Sequence, residues 1–213
     1  QQKFDAEVTQ SGSVVLNARI LSDIVRRLPS DTVEITVDDR LMATIRGGAS
    51  EFNLIASDPQ EFPELPSVDE AESFQLPSSL LREMISGTLF AVGDNENKPI
   101  ITGSLVEIEN RTFRMVSVDG YRLALRKEPV SDKKGDVFSF VVPGSALSEA
   151  EKICTGGEAP ITVIQGARHV MFDTGDTILV SRRLEGEFLP YRNAIPRKNP
   201  IAVVAETRAL INS

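Results

Sequence analysis

Tryptophan is missing from these 213 residues, and cysteine and histidine occur once each. Each shortage removes a class of chemistry. With Cys154 alone, neither an intramolecular disulfide nor a multi-cysteine metal site can form, which is compatible with a reducing cytosol. A Ser-His-Asp arrangement, or most transition-metal sites, would have to use His169. That histidine sits in the alternating segment GARHVMFDTG and reads as a strand residue, while Cys154 follows Ile153 on a helix-like face and reads as core. No apolar run approaches the ~18 residues of a membrane span, and the opening residues do not read as a signal peptide. A Gly-rich phosphate loop and metal-ligand spacing are also missing. Basic residues are in deficit too: 23 Lys and Arg against 31 Asp and Glu leave a net charge of −8. This argues against a simple basic-face nucleic-acid binder, because neutralising phosphates takes Lys and Arg. It leaves open a chain that segregates a basic inner face from an acidic outer one.

What the sequence does contain is a repeat. SVVLNARILSDIVRRL (13–28), SFQLPSSLLREMIS (73–86), SFVVPGSALSEAEKI (139–153) and IAVVAETRALINS (201–213) share one plan. Each is a short apolar run, a small or polar cap-like residue, then a helix-like stretch. Their register marks Leu16, Leu76, Val142 and Ala205 are spaced by 60, 66 and 63 positions. At an offset of 126, Leu16, Leu21, Leu28, Ile35, Val37, Phe52, Leu54 and Phe62 fall on Val142, Leu147, Cys154, Ile161, Val163, Ile178, Val180 and Phe188. The period is therefore a half-domain of about sixty residues, and two halves make one domain.

Within the first repeat, residues 17–28 put Ile20, Leu21, Ile24, Val25 and Leu28 on one helical stripe. Asn17, Ser78 and Thr207 are candidate caps, with Pro77 and Pro143 near helix starts. Short strands follow each helix, at 33–37, 41–46 and 51–57, and again at 161–165, 169–173 and 177–182. The expected class is α+β, with a helix covering one face of antiparallel strands. Segments 57–73 and 185–200, rich in Pro and polar residues, read as linkers. Residues 1–70 are then the second half of one domain, 71–192 a whole domain, and 193–213 a linker and the opening of a third. On this reading the chain is a piece of a longer protein.

One stretch looks built for chemistry: SVDGYRLA (117–124) gathers Asp119, Tyr121 and Arg122. The same letters spell a β-hairpin, with Asp119-Gly120 as its turn between alternating apolar residues. Nothing completes a catalytic set around it, and no catalytic residue is assigned.

The repeat, the closings EFPELP and FLPYRNAIP, and the SVDGYRLA hairpin together resemble the bacterial DNA polymerase III beta subunit family, the β sliding clamps, over essentially the whole chain. The resemblance implies a DNA-clamp fold: three domains per chain, two chains closed head-to-tail around duplex DNA, helices lining the hole and sheets forming the outer wall. It implies binding without catalysis, no cofactor and no metal. The implied partners are double-stranded DNA, and the polymerase catalytic subunit, clamp loader and repair polymerases, held through short linear motifs. By resemblance the peptide groove takes Val118, Gly120, Tyr121, Arg122 and Leu123 from the hairpin, Ile101 from a neighbouring strand, and Leu189, Asn193 and Ala194 from the inter-domain segment. Val118, Tyr121, Leu189 and Asn193 depart from residues frequent in the family. Arg19, Arg26, Arg27 and Arg82 would face DNA from the helices, and Asn95 and Lys98 from the loop at 93–103. The third helix, with Glu149, Glu151 and Lys152, adds little attraction. The competing reading is an α+β repeat scaffold for protein interactions that binds no DNA, and the acidic pI of about 4.8 is its main support.

Overall fold

The computed structural model describes residues 1–66, 68, 72–95, 97–130, 138–154 and 157–213. They form two units, one of Phe4–Pro66 and one of Gln1–Lys3 with Ser67–Ser213. The expected boundary between residues 70 and 71 lies outside the described residues.

In the smaller unit, Asn17 caps helix α1 (Ala18–Val25), its Oδ1 accepting from the Ile20 N–H at 3.1 Å. The helix is shorter than the expected 17–28. Arg26 closes it, and Pro29, which disfavours helical geometry in the residue before it, follows Leu28. Of the expected stripe, Leu21, Ile24 and Leu28 are half-buried, whereas Ile20 and Val25 are exposed. Strands β1 (Glu34–Val37), β2 (Met42–Gly47) and β3 (Ser50–Ile55) follow as an antiparallel meander. Ala43 and Ile45 of β2 are its buried centre, and β1 is exposed along its length.

The larger unit contains two complete repeats. The first is β4 (Glu72–Pro77), α2 (Ser78–Ser86), β5 (Gly103–Glu109), β6 (Thr112–Val118) and β7 (Leu123–Pro129). The second is β8 (Phe138–Pro143), α3 (Gly144–Ile153), β9 (Pro160–Gln165), β10 (His169–Asp173) and β11 (Ile178–Arg182). Each helix opens directly from its lead strand, with Pro77 and Pro143 in the cap position. Ser78 is thus the first helical residue and makes no cap bond, contrary to the role expected of it.

The sheets do not respect the repeats. Their strand orders are β11-β10-β9-β4 and β7-β6-β5-β8, so each lead strand leaves its own repeat and pairs with the other one. Leu76 faces Ile161 across the β4–β9 ladder, and Val141 faces Leu105 across β5–β8. Both helices then bury their apolar stripes in one common core: Leu81, Met84 and Ile85 from α2, Ala146, Leu147 and Ala150 from α3. The Phe74 ring on β4 crosses to the other sheet, 5.9 Å from Phe113 and 5.6 Å from Phe138. The fold is α+β with purely antiparallel sheets, as the pattern of elements requires.

The two singletons behave as their neighbours dictate. His169 opens β10 opposite Arg182. Cys154 is buried at the end of α3, where burial pushes its thiol up and leaves it inert. The fourth repeat start is realised only as the short helix α4 (Thr207–Ile211), with Glu206 rather than Thr207 in the cap position. Its apolar lead, 201–205, forms no strand, and Val203 and Val204 are exposed. An apolar run becomes a strand only where a partner offers ladder bonds.

Because Phe74 ties the two sheets together, Phe74→Ala should destabilise by about 3–5 kcal/mol, the cost of emptying a buried aromatic site. Urea unfolding checks this. A single shifted transition is expected for the larger unit, and two separate transitions within that unit would mean that the exchanged strands do not couple the repeats.

Candidate functional site

The β6–β7 ladder pairs Val118 with Leu123, which leaves Asp119–Arg122 as a four-residue loop. The turn is therefore wider than the Asp119-Gly120 pair expected from the sequence, and Tyr121 and Arg122 belong to it. One carboxylate explains the difference. Asp119 Oδ1 accepts from the N–H groups of Tyr121 (2.9 Å) and Arg122 (2.7 Å), and Oδ2 accepts from Arg122 Nε at 2.7 Å. These bonds, the Arg122 N–H foremost, hold the Asp119 carboxyl at about 2. Gly120 supplies the left-handed position at φ +96°, with open space around it. The outcome is a tip with Tyr121 fully exposed and Arg122 tied by one nitrogen while 58% of its side chain stays in solvent.

The base of the hairpin is buried. Ile101 stands on a 3-10 turn (Pro99–Thr102) that leads into β5, not on the neighbouring strand expected for it. It shares an apolar cluster with Val118, Leu105, Val116, Val141 and Tyr191, and Leu123 packs against its margin. Beneath it, the hydroxyls of Ser104 and Ser117 satisfy each other at 2.7 Å. The loop at 93–103 is drawn in where the Gly93 N–H donates to the Ile101 carbonyl (2.9 Å); a β-carbon there would stand 3.1 Å from the Ile101 side chain.

The inter-domain segment supplies the rest. It is not a free linker, because Tyr191 is buried in the same cluster on a short 3-10 turn, Tyr191–Asn193. Leu189, Asn193 and Ala194 flank it and are exposed, and Leu189 stands outside the cluster. The structure thus brings Ile101, Val118 and Leu123 together, sets Gly120, Tyr121 and Arg122 at the tip, and carries Leu189, Asn193 and Ala194 on the docked turn. A separate cleft shares Leu105, Val141, Leu184 and Phe188 with the cluster and adds Arg168 and Arg183, but none of the nine predicted residues lines it.

Sequence reasoning missed the polar group that holds the turn. The Tyr191 hydroxyl donates to Glu107 Oε2 at 3.0 Å, and one terminal nitrogen of Arg192 donates to Glu107 (2.8 Å) and Glu109 (2.9 Å). Arg114 reaches the same two carboxylates at 3.3 and 3.2 Å. Arg192, first among the causes, holds the Glu109 carboxyl below its usual range. A signal existed: Glu107 and Glu109 alternate onto one face of β5, and Arg114 pairs with Glu107 across the ladder.

The residues expected to face DNA are exposed. Arg19, Arg26 and Arg27 belong to the smaller unit, and Arg82, Asn95 and Lys98 to the larger one. Among the described residues none of the four arginines is ion-paired, so their charge is available. Asn95 shapes a turn, accepting from the Asn97 N–H at 3.0 Å while the Lys98 N–H donates to its carbonyl. On α3, Lys152 is taken up by Glu149 at 2.6 Å. Among the described residues no group of three or more His, Cys, Asp or Glu could hold a metal, and no helix is long and apolar enough to cross a membrane.

Comparison with known proteins gives consistent matches. The family models for the N-terminal and central domains of the DNA polymerase III beta subunit match residues 1–66 and 75–190. The beta sliding clamp of Halalkalibacterium halodurans is 36% identical over 212 residues, 98% of this chain and 56% of that protein. That of Synechococcus elongatus is 34% identical, over 99% of this chain and 57% of its own length. Among solved structures, the Bacillus subtilis sliding clamp superposes with a TM-score of 0.83 at 34% identity, over 92% of this chain and 53% of that one. The Pseudomonas aeruginosa DNA polymerase III subunit beta bound to griselimycin gives 0.86 at 26% identity, over 91% and 53%. The chain spans about half the length of these relatives.

The tip makes its own test. The lowered Asp119 carboxyl contributes order that is complete above its ordinary 3.8 and lost as pH falls through about 2. A carbon-13 titration of Asp119 should give a midpoint near 2, and a midpoint near 3.8 would show that the carboxylate does not organise the loop.

Proposed function

The chain belongs to the DNA polymerase III beta subunit family, and from that premise we propose that the protein containing it is a sliding clamp. It encircles duplex DNA as a head-to-tail homodimer and tethers the polymerase catalytic subunit, the clamp loader and repair polymerases to the template. It performs no chemistry of its own. Residues 1–70 serve as the second half of clamp domain one, 71–192 as domain two, and 193–213 as the linker and start of domain three.

A ring needs to grip DNA only weakly, since topology retains it. Arg19, Arg26, Arg27 and Arg82, with Asn95 and Lys98, give the inner surface a modest positive character, which suits sliding across phosphates in any sequence. The net charge of −8 is compatible with this, because phosphate contact depends on where the unpaired cations stand.

One observation carries the partner-binding part. A fully exposed tyrosine rides a loop organised by its own aspartate, on a strand base whose Val118 is 5% exposed. A loop whose backbone is already ordered has less entropy to lose when a partner covers it. Tyrosine and arginine are also the types that dominate hot spots. The groove therefore takes a short linear peptide: apolar side chains against Ile101, Val118, Leu123 and Leu189, with Tyr121, Arg122 and Asn193 at the rim and Gly120 and Ala194 allowing close approach.

Two outcomes are expected of the full-length protein. Leu123→Asp should weaken a polymerase-derived peptide at least about tenfold by fluorescence anisotropy, as a charge replaces an apolar anchor; unchanged affinity would remove the site. Protein loaded on nicked circular DNA should co-elute with it in gel filtration and come off when the circle is cut. Equal retention on linear DNA would rule out topological tethering.

A further inference from the structure

We infer that Arg192 is a positioning residue for the peptide groove, fixing where Leu189, Asn193 and Ala194 stand; this rests on the groove reading above. The reason lies in how the segment is attached. Upstream, it is anchored where the Leu184 N–H donates to the Val141 carbonyl at 2.9 Å. From Glu185 to Ala194, among the described residues, the backbone hydrogen-bonds only within its own turn: Tyr191 to Leu189, Asn193 to Pro190, Ala194 to Tyr191. Side chains alone dock this stretch on the sheet.

Three side chains do that docking: Phe188 packs against the margin of the apolar cluster, and the adjacent Tyr191 and Arg192 hold the turn itself. The Tyr191 ring enters the cluster that also backs Ile101 and Val118, so turn and hairpin wall share one apolar support. A ring in an apolar pocket sets depth but leaves the turn free to pivot about it. The polar end removes that freedom. Arg192 spans Glu107 and Glu109 with one terminal nitrogen, while its Nε reaches the Tyr191 hydroxyl at 3.3 Å. Its guanidinium also lies 5.7 Å from the Tyr191 ring centre. Both glutamates are on β5, which pairs with hairpin strand β6, so the turn is referenced to the strands that carry the wall.

The arrangement is more than a surface ion pair, which would be worth little. Glu107 is only 13% exposed and accepts from Tyr191, Arg192 and Arg114 together. Two carboxylates meet two guanidiniums, so the group is balanced in charge. Arg114, held on β6, keeps both glutamates aimed even when Arg192 is removed, so loss of Arg192 frees the turn without disordering the strands.

The test uses the full-length protein, a fluorescent polymerase-derived peptide, and the variants Arg192→Leu, Arg192→Lys, Leu189→Ala and Leu123→Asp. Arg192→Leu should weaken the peptide about tenfold, as expected for losing a charge-assisted support. The thermal midpoint should stay within about 2 °C, because Arg114 still pairs with both glutamates and Arg192 itself is more than half exposed. Arg192→Lys, which keeps the charge but not the fork, should recover affinity to within about threefold of the parent. On the Leu189→Ala background the effect of Arg192→Leu should shrink but not disappear, because Leu189 carries one part of what the turn positions and Asn193 and Ala194 the rest. Loss of binding in Leu123→Asp with no change in Arg192→Leu overturns the inference alone. Full binding in Leu123→Asp overturns the groove reading, and the inference with it. Additive effects of Arg192→Leu and Leu189→Ala would also overturn it.

Discussion

The exchange of lead strands is the constraint on which the larger unit depends. Neither repeat can complete a sheet alone, since β4 is satisfied only by β9 and β8 only by β5. Backbone hydrogen-bonding groups that are buried must be paired, so the two repeats close together or not at all. That mutual closure sets α2 and α3 side by side over one core and lets Phe74 reach Phe113 and Phe138. It also gives the hairpin its rigid base, because Val141 of the exchanged strand packs in the same cluster as Val118 and Ile101. In the smaller unit, where one repeat is described, the lead segment makes only the Val15–Ser57 bridge and β1 is exposed.

Much of this was legible in the sequence. Period, strand positions, the cap at Asn17 and the helix starts near Pro77 and Pro143 follow from local chemistry that a side chain exerts within a few residues of itself. Strand exchange was not legible, since Leu76 would look the same paired to its own repeat or to the other. Ser78 and Thr207 failed as caps for a local reason: the extended residue before each helix already takes the cap position. The hairpin loop proved wider than Asp-Gly because Asp119 bonds forward to two backbone N–H groups. A hairpin rule that counts turn residues does not weigh a side-chain acceptor against them.

The nine groove residues fall into three kinds by how they are held. Ile101, Val118 and Leu123 are held by burial, Gly120, Tyr121 and Arg122 by one carboxylate, and Leu189, Asn193 and Ala194 by a turn docked through its side chains. Of these, only Val118 and Leu123 belong to a strand alternation that the order of residues reveals. The third kind depends on Glu107 and Glu109, 83 to 85 positions from their partners in the turn; the alternation that sets both on one face of β5 does not say which distant residues they hold. The acidic balance of the chain likewise hid where charge is free: several arginines are consumed in such pairs, while among the described residues Arg19, Arg26, Arg27 and Arg82 are not.

Strand exchange also sets a schedule for synthesis. Gln75 and Thr162, which hydrogen-bond across β4 and β9, lie 87 positions apart. At roughly 5–20 residues per second, β4 leaves the ribosome several seconds before its partner exists. Through that interval its ladder groups and the Phe74 ring are uncovered, the kind of edge that templates association between nascent chains. Glu72, Arg82 and Glu83 place charge on both sides of the apolar run, the arrangement that limits such association.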